Sequence, residues 1–394
     1  MNITVRLKAM KRYRRCFLIL VLVLFPVISL AGLQKSELPA DTIKKIEEII
    51  EGEKAKLRVP GLSVAVAVDN QLSYAKGFGM ADLENSVPAK AETVYRTASI
   101  AKSMTATAVM QLVEQGKIDL DSPIQKYCEA FPEKQWPVTA RQLLGHLAGV
   151  RHYKFPGEAG GTQNYFTIVD SMNLFKDEPL LQEPGTKFGY TTYGYSVLGC
   201  VIEGASGMSY EDYMREKVFG PAGMSATRTD NFRIVIPNRA RGYARLSEQA
   251  YNTLPESAKK FAKPGEIYNA SLHDTSMKIP GGGLVSTAVD LVKFAIAVNK
   301  GALVKKSTSD QMWTQQKTKD GKETGYGLGW VISKASDYKL VSHSGGQAGT
   351  STLMMMLPEK GIVVAAMSNL EGVALENMLR QIGSFVLSQS QAQR

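Results

Sequence analysis

Leu62-Ser-Val-Ala-Val-Ala-Val68, followed by Asp69-Asn70 and the alternating run 72–77, reads as two strands joined by a tight turn. Comparable strand signals return only near the other end of the chain, over 327–333, 340–343, 350–357 and 362–368, before a last helix over 374–386. A helix over 42–57, ending before Pro60, precedes the first hairpin. Between the two strand groups, from 119 to 273, the text is loop-rich and helical, with helices predicted over 139–147, 166–175, 193–205 and 210–218. Strands at both ends and helices between them predict an α/β (α+β) fold. One antiparallel sheet flanked by helices forms from both termini, residues 32–118 and 274–394, and a mainly helical domain, residues 119–273, is inserted. A cleft between the two parts is the natural place for chemistry.

Ser99-Ile100-Ala101-Lys102 stands where a strand-like run, 93–100, meets an amphipathic run, 101–116, whose Gly116 suits a C-cap. A serine and a lysine three apart at the start of a helix share one face, so the amine can touch the hydroxyl. An alcohol beside a base is a candidate nucleophile, and the first amides of such a helix are placed to hold an oxyanion. The same spelling occurs at Ser73 and Lys76, Ser257 and Lys260, and Ser336 and Lys339. The first falls in a strand, the second in a Lys/Glu/Pro-rich polar stretch and the third in a short turn, so only the Ser99 copy is expected to open a helix. The competing reading of Ser99 is an ordinary N-cap serine.

The 394 residues leave room for one large domain or two. Six positive charges of the formal +10 lie before Ala31 with no acid among them, which leaves a small positive excess. No basic stripe interleaved with aromatics appears, so no nucleic-acid partner is expected. Residues 1–31 read as a signal peptide: a basic stretch, the apolar run 16–30, and Ser29-Leu30-Ala31 suited to cleavage. Export to the periplasm or medium follows, with an uncleaved N-terminal segment as the one route to a membrane. No cysteine stands directly after the boundary to carry a lipid. Cys200 lies in an apolar helical run, and a buried free thiol is expected there in preference to a bridge with Cys128.

His146, His152 and His273 form no H-E-x-x-H pattern, so no metal site is expected. His146 is expected to pack or cap a helix and His152 to lie at the cleft rim. The glycines of 325–329 precede no helix and read as strand and turn, not as a phosphate loop. A G-x-S-x-G elbow is absent, which argues against an α/β-hydrolase. Met354-Met355-Met356 is expected to fill core on alternating sides of a strand.

The stretches 60–68, Lys76-Gly-Phe-Gly79, Ala81-Asp-Leu-Glu84, 95–102 and 111–117 resemble the serine beta-lactamase and DD-peptidase superfamily, especially its class C and esterase-like branch. The resemblance continues through Leu143-Leu-Gly-His-Leu-Ala-Gly149, 188–199, Gly282-Gly-Leu-Val-Ser-Thr287 and 343–346, and spans about 44–383. Gly149-Val-Arg-His-Tyr153 and Tyr190-Thr-Thr-Tyr-Gly-Tyr195 look most like the mitochondrial serine beta-lactamase-like branch and its bacterial relatives.

That resemblance implies Ser99 as the acylated nucleophile and Lys102 as its activating amine. The tyrosine-x-asparagine motif falls on Tyr190-Thr191-Thr192, making Tyr190 a proton carrier, as a phenolate or through Lys102. Thr192 would stand at the substrate-binding position without the usual amide, which weakens any expectation of beta-lactam recognition. The third motif appears as His343-Ser344-Gly345 on a predicted edge strand. Ser344 and Gly345 would meet the substrate, Gly345 by allowing close approach, and the backbone N–H groups of Ser99 and Gly346 would form the oxyanion hole. His343 would polarise the site or bind a substrate carboxylate. The expected activity is that of an exported serine hydrolase acting on an amide, peptide or ester, with no cofactor. The alternatives are a true class C beta-lactamase or DD-peptidase, and, from another class, a receptor or scaffold without turnover.

Overall fold

The computed structural model of the chain describes residues 38–154, 158, 160–231 and 233–392. The signal segment expected at 1–31 lies outside them. Helix α1 (Ala40–Leu57) buries Thr42, Ile46 and Ile50, spaced four apart, and ends at Arg58 in a left-handed conformation. Strands β1 (Gly61–Val68) and β2 (Gln71–Asp82) form the expected hairpin. Asp69 and Asn70 both take positive φ, 49° and 58°, as the twist of a two-residue hairpin requires. Then follow β3 (Val87–Pro88), β4 (Tyr95–Arg96) and α2 (Ala101–Glu114), in which every residue from Ala101 to Met110 is buried.

The middle of the chain holds α3 (Ala140–Leu144), α4 (Ile168–Met172), α5 (Tyr193–Ser206) and α6 (Tyr210–Tyr213), the last running on as a π-helical turn to Phe219. Short pieces follow: β5 (Arg228–Thr229), β6 (Tyr243–Arg245), α7 (Glu248–Asn252), α8 (Glu256–Lys259), β7 (Ile267–Asn269), α9 (Ile279–Gly282) and β8 (Leu284–Ser286). The C-terminal part contributes α10 (Ala288–Asn299), α11 (Lys306–Met312), β9 (Val331–Ala335), β10 (Tyr338–Gln347), β11 (Thr350–Leu357), β12 (Ile362–Ser368) and α12 (Glu376–Ala392).

The main sheet is antiparallel, in the order β3-β2-β1-β12-β11-β10-β9. The two ends of the chain therefore meet at its centre, with Val64 opposite Ala366. Each face carries its own core. Leu62, Val64 and Val66 point toward α1 and α12, together with Ile46, Leu379 and Ile382. Ala65 and Ala67 point the other way, toward the larger core built on α2, α5 and α10. A strand covered on both faces has no polar alternation, which is why 62–68 is almost wholly apolar. Met354 and Met356 fall in the larger core and Met355 in the other, as the alternation predicts.

Several expectations need correction. The run 93–100 is not a strand along its length: Tyr95 and Arg96 pair with Ser286 and Val285, Val94 makes a single bridge to Arg239, and Ala98–Ile100 forms a 3-10 turn entered through Ala98 at φ 46°. Tertiary bonds override strand propensity here, because the Thr97 carbonyl accepts from Thr352 Oγ1 at 2.9 Å, bending the chain under β11. Strand β10 is not an edge strand throughout. It pairs with β9 over Tyr338–Ser342 and leaves 343–347 unpaired on that side. A second Ser-x-x-Lys copy, Ser257 and Lys260, also falls at a helix, the single exposed turn of α8.

Cys128 and Cys200 form a disulfide, where a free thiol was expected. The reason lies at Gly204, one helical turn beyond Cys200 on the same face of α5. A Cβ there would stand 1.8 Å from the Tyr127 carbonyl oxygen, so glycine lets the loop lie flat on the helix and brings Cys128 within a Cα–Cα distance of 5.5 Å.

Candidate active site

The 3-10 turn presents Ser99 at the mouth of α2, one turn before Lys102. The Lys102 amine is fully buried, with Nζ 3.1 Å from Ser99 Oγ, 3.1 Å from Thr192 Oγ1 and 2.6 Å from the carbonyl oxygen of Gly281 in α9. Burial, and secondarily the positive charge of Lys278, hold Lys102 well below the usual lysine range. A neutral amine has two N–H groups and one lone pair. In that form the Gly281 carbonyl, which can only accept, and Thr192 would take the two N–H groups and leave the lone pair for the Ser99 hydroxyl.

Tyr190 lines the same cleft as Ser99, and Lys102 Nζ lies 4.9 Å from the Tyr190 ring centroid. Burial pushes the Tyr190 phenol up, only partly offset by Ser99, so the resting group is a phenol and not the phenolate. Ser99, Phe188, Tyr190, Tyr326, Ile332 and Ser344 line an open cleft of about 560 Å³ that also exposes Gly346. Among the described residues, no three His, Cys, Asp or Glu side chains converge to hold a metal ion.

The third motif is arranged differently from expectation. His343 is buried; its Nδ1 lies 2.7 Å from the Ser344 carbonyl oxygen and its Nε2 2.8 Å from the Tyr326 hydroxyl. The carbonyl can only accept, so Nδ1 carries the proton and Tyr326 donates to Nε2. Burial first, then the Lys102 charge, hold His343 down at about 3. A neutral ring with both nitrogens engaged has nothing to offer a substrate carboxylate. Its Nε2 is taken up by the Tyr326 hydroxyl instead. Gly345 does not face substrate either: a Cβ there would stand 2.4 Å from the Thr97 carbonyl oxygen and 2.9 Å from the Ala98 Cβ. Its bare backbone lets β10 pass against the turn that carries Ser99. Thr192 is buried behind the cleft with its hydroxyl 3.1 Å from Lys102 Nζ, and so is not a substrate contact in this geometry.

Gly346 stands at the open side of β10. The Ser344 carbonyl meets the His343 ring rather than β11, and period-two alternation turns the polar groups of Gly346 to the same open edge. A Cβ at Gly346 would meet nothing within 4 Å.

The comparison with known proteins decides the family, since the beta-lactamase family profile matches residues 46–384. The chain belongs to the beta-lactamase family and is a serine hydrolase. It is 30% identical to the human mitochondrial serine beta-lactamase-like protein LACTB, over 87% of this chain and 79% of that one. A penicillin-binding protein of Bacillus subtilis (strain 168) is 29% identical over 78% of this chain and 68% of its own. The structure of an octameric penicillin-binding protein homologue from Pyrococcus abyssi superposes with a TM-score of 0.74 at 29% identity, covering 88% of this chain and 77% of that chain.

Within this family fold, sequence reasoning missed several residues around the nucleophile. The side chain of Lys278, just before α9, is buried and makes no hydrogen bond or ion pair among the described residues. Burial and then Arg96 hold it at about 7. Its Nζ lies 5.6 Å from the Tyr153 ring centroid. The only available signal was a lysine ahead of Ile-Pro-Gly-Gly-Gly283, a turn forced close to other backbone. Tyr326 sits in the glycine-rich turn once weighed as a phosphate loop. His146 is fully buried among Phe188, Tyr190, Tyr195 and Tyr326, with the Tyr190 ring 4.3 Å away, so it packs as expected. His152 is partly buried behind Thr192, and burial and Lys102 hold it at about 4.

Proposed function

We propose that this chain is an exported hydrolase that acts on amides, peptides or esters through an acyl-enzyme on Ser99. The observation that carries this reading is the 3.1 Å approach of a fully buried Lys102 amine, held well below the usual lysine range by burial, to the Ser99 hydroxyl. Attack by Ser99 Oγ on the substrate carbonyl carbon forms the new C–O bond as Lys102 Nζ takes the serine proton. The oxyanion is held between the backbone N–H groups of Ser99 and Gly346. Collapse breaks the bond to the leaving group, which takes a proton relayed from Lys102 through the Tyr190 phenol. Water then attacks the ester carbonyl, giving its proton to Lys102, and cleavage of the C–O bond to Ser99 releases the acid with the serine reprotonated.

Thr192, buried against Lys102, supplies no amide to bind a substrate carbonyl and amine together, which favours plain peptides and esters over beta-lactams. Export is supported by the basic and apolar N-terminal segment. Intact-mass spectrometry after a fluorophosphonate, compared with Ser99→Ala, tests the nucleophile: a single adduct lost in the variant is expected, and an adduct-free wild type overturns the reading. Turnover on a panel of D-Ala-D-Ala peptides, short esters and nitrocefin sorts the substrate. Faster nitrocefin hydrolysis would indicate a true beta-lactamase, and acylation without release a receptor. The N-terminal residue of protein recovered outside the cytoplasm tests export and cleavage after Ala31.

A further inference from the structure

The two side chains that flank Thr191 stand at the Ser99–Lys102 pair: the Tyr190 ring lies 4.9 Å from Lys102 Nζ and lines the cleft beside Ser99, and Thr192 Oγ1 lies 3.1 Å from Lys102 Nζ. Their backbone is held in an unusual way. The N–H of Thr191 donates to Nδ1 of His146 at 3.2 Å, and the N–H of Thr192 donates to Nδ1 of His152 at 3.3 Å. A ring nitrogen that accepts carries no proton, so both imidazoles are neutral with hydrogen on Nε2. Two successive peptide groups are thus each gripped by a side chain from one loop. The same loop is laced to the segment twice more. The Gly189 N–H donates to the His146 carbonyl at 2.8 Å, and Thr191 Oγ1 donates to the Arg151 carbonyl at 2.6 Å. His146 itself holds φ 59°, a left-handed conformation costly for a side chain with a Cβ, which persists only where its surroundings over-determine it.

We propose that His146 and His152 are positioning residues: by accepting the N–H groups of Thr191 and Thr192 they set where the Tyr190 phenol and the Thr192 hydroxyl stand relative to Ser99 and Lys102. Neither ring touches Ser99 or Lys102 by a hydrogen bond, so neither is a catalytic residue. The surroundings suit neutral acceptors. His146 faces Tyr190, Tyr195 and Tyr326 as well as Lys102 and His343; His152 faces Tyr153, Tyr190, Lys102 and Lys278. Cations on that side disfavour a second positive charge, and burial acts in the same direction.

The proposal rests on the acyl-transfer reading of Ser99. It is tested on the full chain with p-nitrophenyl acetate, using His152→Leu, which removes the acceptor, His152→Ala as a smaller removal, and His152→Asn, whose Oδ1 replaces Nδ1. Misplacing a reacting group by about 1 Å costs roughly 100-fold, so His152→Leu and His152→Ala should lower kcat about 10- to 100-fold with KM nearly unchanged, and His152→Asn should recover it to within about 5-fold of wild type. Thermal melting followed by circular dichroism identifies the variants that fold. A folded Leu or Ala variant with wild-type kcat, or an Asn variant no better than these, overturns the proposal. Fluorophosphonate labelling separates the two ideas: labelled Ser99 with rates indifferent to residue 152 defeats only the histidine clamp, whereas a wild-type chain that takes no label defeats the acyl-transfer reading beneath it.

Discussion

Gly345 passes so close to Thr97 that a Cβ on the glycine would stand 2.4 Å from the threonine carbonyl oxygen. Two residues beyond that carbonyl lies Ser99. The backbone of β10 is therefore a wall against which the nucleophile's turn is set. Gly345→Ala should push β10 and the turn apart, lowering stability by about 1–3 kcal/mol and reducing kcat, because backbone atoms cannot yield as a side-chain tip can. Gly346→Ala meets open space and serves as the control, with melting temperature held or raised. Melting curves and ester hydrolysis on the pair check both outcomes.

In the proposed mechanism the Tyr190 phenol, whose ring lies 4.9 Å from Lys102 Nζ, relays a proton from Lys102 to the leaving group. Tyr190→Phe keeps the ring packed on His146 and removes only the hydroxyl. A drop in kcat of about 10²- to 10⁴-fold is expected, the range typical of a lost proton carrier. Steady-state ester hydrolysis measures it, and unchanged turnover would remove Tyr190 from the mechanism.

Lys102 must be neutral to accept the serine proton, so activity falls as pH drops and the amine charges. Lys278 contributes to keeping it neutral, after burial. Lys278→Met removes that repulsion and makes protonation of Lys102 easier. The acid limb of kcat/KM should therefore move to higher pH, with Lys278→Arg restoring it. A limb that stays in place in the Met variant would mean that burial alone sets the Lys102 charge.

The Cys128–Cys200 bridge ties residues separated by 72 positions. A loop of that length corresponds to about 4 kcal/mol of unfolded-state entropy in the chain model. Reduction, or Cys128→Ser with Cys200→Ser, should lower the melting temperature without moving the Ser99 adduct, since Cys200 lies on α5 two helical turns beyond Thr192. Melting with and without a reductant, on wild type and double variant, reads the effect.

What was legible in the chain was whatever short-range pattern controls. The apolar run 62–68, the turn at Asp69 and Asn70, and the alternating methionines of β11 each announce their own geometry, because side-chain period and turn dihedrals are local properties. The spacing of Ser99 and Lys102 belongs to the same class, since one helical turn brings them together whatever the rest of the chain does. The helices over 166–175 and 210–218 came out shorter or altered, to Ile168–Met172 and a π-helical turn, where caps and packing ended the pattern early.

The remainder required the fold. Whether Cys128 finds Cys200 depends on a loop pressed onto Gly204, and whether Gly345 meets substrate or Thr97 depends on how β10 crosses the turn before α2. The lowered basicity of Lys102 and His343 arises from burial by segments distant in sequence, and the acceptors for Thr191 and Thr192 come from a loop some forty residues upstream. Local sequence thus determined the strands, the hairpin and the serine-lysine pair through backbone periodicity. Long-range packing alone decided which groups are buried, which nitrogens carry protons and which glycines face protein and not solvent, because desolvation and close contact exist only once distant segments have met.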